Sequence, residues 1–69
     1  MEVFKSETLE VIKRYRSRRL TFPECIAALD AAVAGFMPRL TSDEIPPLRA
    51  LMAANYETVM KERARRRQR

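Results

Sequence analysis

Eleven of the fourteen Lys and Arg residues fall in two clusters. The first is Lys13, Arg14, Arg16, Arg18 and Arg19. The second is Lys61, Arg63, Arg65, Arg66, Arg67 and Arg69. Arg outnumbers Lys by eleven to three. A guanidinium offers a planar fork of donors that matches phosphate and stacks on bases. The chemistry on offer is therefore recognition of a polyanion, either nucleic acid or an acidic protein surface. Part of the pattern has a plainer account. Cations near helix C-termini gain from the dipole, and Glu57 with Lys61 and Glu62 with Arg66 are spaced as ordinary helix-surface pairs. Neither effect needs six cations in the nine residues from Lys61 to Arg69.

Covalent chemistry finds less support. Cys25 is the single cysteine and there is no His. Cys25 falls one turn into a helix, where the dipole lowers a thiol pKa, but no imidazole is available as its base. It reads as a small buried apolar residue. Glu24 reads as a helix cap. No phosphate-cradling loop, metal cluster or nucleophile–base pair occurs. The chain is thus expected not to be an enzyme, with no cofactor, metal or small-molecule substrate. A helix-turn-helix signature is missing, and only Tyr15 interleaves an aromatic ring with the basic residues. Contact with nucleic acid would run mainly through phosphate.

Three helices must position these clusters. From about Val3 to Arg18, the residues Phe4, Leu9, Val11, Ile12 and Tyr15 share one helical face. Ser6 is an alternative N-cap, which would leave Phe4 packing from an irregular arm. Thr21-Phe22-Pro23-Glu24 matches a capping box and starts a second helix. That helix should end near Gly35 or Met37, with Gly35 as its cap and Pro38 as the stop. Thr41-Ser42-Asp43-Glu44 repeats the box. A short turn over Ser42 to Ile45 then leads into a third helix carrying Leu48, Leu51, Met52, Tyr56, Val59 and Met60. Met37, Met52 and Met60 occupy core-like positions.

The simplest architecture is all-α, an up-down-up three-helix bundle with a long C-terminal helix. A hairpin of the last two helices, with the first contributed to a dimer, is the alternative. In the bundle both basic clusters meet at one pole. Residues 1–60 form the helical domain and 61–69 a basic extension of the third helix. Glu2, Glu7, Asp43 and Glu44 fall at or near the other pole.

The second helix is apolar on most of its circumference, with Glu24 and Asp30 its only charges between Phe22 and Met37. Its residues Ala27, Ala28, Ala31 and Ala34 form either a protein interface or simply an exposed alanine face. Length weighs on the side of an interface. A chain of 69 residues is one domain, and its core rarely supplies more than about 3–5 kcal/mol. With one cysteine no internal disulfide can help, which points to a homo-oligomer or a protein partner. No stretch approaches the roughly 20 apolar residues of a membrane span, and the N-terminus lacks a secretory layout, so a cytoplasmic location is the default. The expected function is that of a small helical interaction protein whose Arg-rich pole contacts nucleic acid or another polyanion. A protein-binding adaptor or inhibitor subunit, docking through the apolar face of the second helix, is the alternative.

Overall fold

The computed structural model describes residues 2–67. It is an all-α three-helix bundle: α1 is Glu2–Arg16, α2 is Phe22–Phe36 and α3 is Ile45–Arg67. The molecule is 43 Å long and 18 by 17 Å across. The helices run up, down and up. Phe36, at the end of α2, meets Phe4 near the start of α1 edge to face, with ring centroids 5.2 Å apart. Arg66, near the end of α3, reaches the carbonyl of Tyr15 near the end of α1.

α1 begins at Glu2, so Phe4 stands inside its first turn and not on an irregular arm. Its buried stripe is Phe4, Thr8, Ile12 and Tyr15. Leu9, expected on that face, is 51% exposed. Thr8 takes the place instead, because its hydroxyl is satisfied locally by donating to the Lys5 carbonyl at 3.1 Å. A buried hydroxyl with a partner costs little.

α1 ends in a Schellman turn. The Arg19 amide donates to the Arg14 carbonyl at 2.8 Å, and the Arg18 amide donates to the Tyr15 carbonyl at 3.1 Å. The residue that must turn left-handed is Arg18, at φ 66°. Gly is the usual occupant of such a position, since a Cβ there costs about 1–2 kcal/mol.

Both capping boxes form. Thr21 accepts from the Glu24 amide at 3.3 Å, and Glu24 Oε1 accepts from the Thr21 amide at 2.8 Å. In the second box Glu44 Oε1 accepts from the Thr41 amide and hydroxyl, at 3.0 and 3.1 Å. These bonds from Thr21 and Thr41 hold both carboxyls below the ordinary carboxylate pKa.

The end of α2 differs from expectation. Gly35 remains inside the helix, and Met37 is the C-cap in ordinary right-handed geometry. Pro38 then sits in a 3-10 turn, Met37–Arg39, which does the terminating. A second 3-10 turn, Ser42–Glu44, leads directly into Ile45-Pro46-Pro47 at the start of α3. The prolines are tolerated there because first-turn amides have no helical acceptor.

The core is Phe4, Ile12, Tyr15, Cys25, Leu29, Leu48, Met52 and Val59. Of the three methionines expected there only Met52 is buried; Met37 and Met60 are 37% and 49% exposed. Met37 lies instead on the open side of the bundle, between α2 and α3. α1 packs along both other helices, whereas α2 and α3 leave a groove between them. No helix among the described residues is long and apolar enough to cross a membrane.

Candidate functional site

The two basic clusters share one end of the bundle. The link is direct: a terminal nitrogen of Arg66 donates to the Tyr15 carbonyl at 2.6 Å and to the Arg16 carbonyl at 3.5 Å. These carbonyls belong to the last turn of α1, where the dipole is negative; that of Tyr15 already accepts from the Arg18 amide, and Arg66 takes its second lone pair. The same guanidinium lies 4.3 Å from the centroid of the Tyr15 ring, and its Nε is 3.3 Å from Glu62. Arg66 therefore fastens the tip of α3 to the tip of α1.

Arg63 does similar work one turn earlier. Its guanidinium sits 4.2 Å from the centroid of Phe22, the first residue of α2. The Phe22 ring in turn meets Tyr15 edge to face at 6.3 Å. Two edge-to-face rings thus stand between two guanidiniums at the pole, in the order Arg66, Tyr15, Phe22, Arg63. Such pairs contribute about 0.5–1 kcal/mol when exposed and up to about 2 when desolvated, and these two, half-buried, fall between. Tyr15 is buried and its ring is engaged, so it is not a platform for a nucleic-acid base.

The remaining cations divide by their partners. Arg65 bonds Glu62, whose side chain is only 11% exposed. Lys61 pairs with Glu57 at 2.9 Å, and Arg14 approaches Glu10 at 3.9 Å, both pairs on open surface. Lys13, Arg16, Arg18, Arg19 and Arg67 are exposed and form no salt bridge among the described residues. Arg69 lies outside the described residues. The pole is therefore a polar fringe of free cations around a cemented centre, and Arg16, Arg18 and Arg65 line its clefts.

Burial pushes the Cys25 thiol pKa up, the opposite of activation. The side chain is fully buried, as a small core residue would be. Among the described residues no three His, Cys, Asp or Glu side chains gather to hold a metal ion.

On α2, Ala27, Ala31 and Ala34 are exposed and Ala28 is half-buried. Ala34 lines the groove between α2 and α3. Two residues there carried no strong signal in the sequence. The Tyr56 hydroxyl bonds the Asp30 carboxylate across the groove. Burial first, and then Asp30, push the Tyr56 phenol up to about 12.

That shift has a testable sign. A group whose folded pKa exceeds its unfolded value of 10 adds stability that is complete below pH 10. The contribution is lost as pH rises through about 12. Absorbance titration of the folded protein should show one tyrosine ionising near that upper limit. Tyr56→Phe should remove this late step. A phenol titrating near pH 10 in its place would disprove the clasp.

Comparison with protein-family models, curated proteins and solved structures yields no match.

Proposed function

We propose that this protein binds the phosphate backbone of nucleic acid through its basic pole, with little reading of base sequence. The observation carrying this reading is the group of exposed cations without a salt bridge among the described residues, Lys13, Arg16, Arg18, Arg19 and Arg67, at one end of a 43 Å body. Arg18 adds weight: an arginine holds a left-handed position that glycine would hold with less strain. The engaged rings of Tyr15 and Phe22 favour phosphate contact over base stacking.

The test is fluorescence anisotropy with a short labelled duplex and with a single strand of the same sequence. Contact with about five phosphates should weaken binding a few hundredfold between 50 and 200 mM salt. Replacing Arg16, Arg18 and Arg19 together by Glu should abolish binding while leaving the helical spectrum intact. Arg66 is a poor choice for that test, because removing it loosens the fold. Lys5→Glu and Arg39→Glu, at the far end, should change little. No binding at low salt, or an affinity indifferent to salt, would defeat the reading.

A further inference from the structure

The groove between α2 and α3 has a volume of about 580 Å³. Val33, Ala34 and Met37 form one wall, with Met52 and Ala53 on the other. Its charges are few and placed at its ends. Asp30 lies at the level of Tyr56, to which it is bonded. Arg63 over Phe22 confirms that register, because α2 and α3 run antiparallel with residue numbers at one level summing to about the same value. Met37 and Arg49 therefore mark the other end. Seven residues separate Asp30 from that level, a rise of about 10 Å. Arg49 is exposed and without a salt bridge among the described residues.

An acid at one end, a base at the other and an apolar middle make a surface complementary to itself. A two-fold axis through the centre of the groove, near Ala34 and Ala53, brings Asp30 of each copy toward Arg49 of the other when the copies cross obliquely and antiparallel. Such oblique crossings are common where helices pack ridge into groove. The parallel alternative leaves Asp30 and Arg49 unpaired between copies and sets the two basic poles side by side. The antiparallel one separates the poles and turns each toward the end of its mate where Glu2, Asp43 and Glu44 are balanced by Lys5, Arg39 and Arg49. Charge thus selects one arrangement at short and long range.

We infer that the groove is the interface of an antiparallel, two-fold dimer of this chain. Met37, left exposed in the single chain, lines the same surface. The interface is isologous, so every residue in it acts twice.

Sedimentation velocity in physiological salt, from micromolar to millimolar protein, tests the inference. The chain should form a reversible dimer. Ala53→Glu at the centre, which sets two carboxylates near the axis, and Arg49→Asp at the rim, which sets a carboxylate against Asp30 of the other copy, should each weaken it at least about tenfold, since each change occurs twice in the interface. Both sites are exposed in the single chain, and helical circular dichroism checks that each variant folds. Independently, Ala34→Cys, next to the axis, should oxidise to a disulfide-linked dimer, whereas Met60→Cys, far from the axis, should not. A monomer at every concentration overturns the proposal and leaves the groove to a different protein. A dimer untouched by both charge variants, or cross-linking better through position 60 than 34, overturns it too. Nucleic-acid binding is read in a separate assay, so either conclusion can fail alone.

Discussion

Phe4→Ala should leave most of the protein unfolded at room temperature. The ring is fully buried and stacked edge to face on Phe36. Truncating such a residue costs about 3–5 kcal/mol, through lost transfer energy and the cavity left behind. A core in a chain of this length supplies about that much in total. The loss is sharpened by location, because Phe4 is what closes the first turn of α1 over the end of α2. Far-UV circular dichroism and urea melts are the measurement. A variant that keeps a cooperative transition within about 1 kcal/mol of the parent would mean that α1 does not begin at Glu2, and that its first turn is a loose arm.

The second large effect is expected at Arg66. Arg66→Ala removes a charge-assisted bond to the Tyr15 carbonyl, a contact with the Tyr15 ring and one of the two cations on Glu62. Hydrogen bonds to charged groups contribute about 1.5–3 kcal/mol, but Arg66 is partly exposed and solvent recovers some of this. A net loss of about 2 kcal/mol would lower the melting temperature by about 8–16 °C. Arg66→Lys should recover only a fraction, since an ammonium cannot lie flat on a ring while bonding a carbonyl beside it. Arg67→Ala, one residue on and exposed, should shift the melt little. Equal effects at positions 66 and 67 would show that the tip is held by bulk charge and not by this one fork. The contrast matters for function, because it separates arginines that build the pole from those left to face a ligand.

Local chemistry accounts for what could be read from the sequence. Thr21 with Glu24, and Thr41 with Glu44, announce helix starts because the partners lie three residues apart and need nothing from the rest of the fold. The direction of the three helices, and hence the meeting of the two clusters, follows from those starts and the short connections. What stayed hidden depended on register or on compensation. Thr8 looks too polar for a core, and Leu9 beside it looks ideal, until the Lys5 carbonyl is found serving the hydroxyl. Gly35 resembles a cap by residue type alone, yet Pro38 ends α2 and the glycine stays helical with open space beside it. The opposite error attaches to Arg18, where no glycine advertises the left-handed turn. At the pole, composition counts cations but cannot say that Arg66 is committed to a carbonyl 51 positions away in the chain.

The prolines where α2 ends and α3 begins carry a last consequence. Pro38, Pro46 and Pro47 lie within ten residues, in or beside the two 3-10 turns. Each ring freezes one backbone rotation in the denatured chain as well as the native one. The elbow therefore reaches its native bend having surrendered less disorder than a glycine-rich connector would, and it resists flexing afterwards. The splay of the two helices becomes a property of the joint itself. An empty cleft would stand open rather than collapse, ready shaped for a second copy.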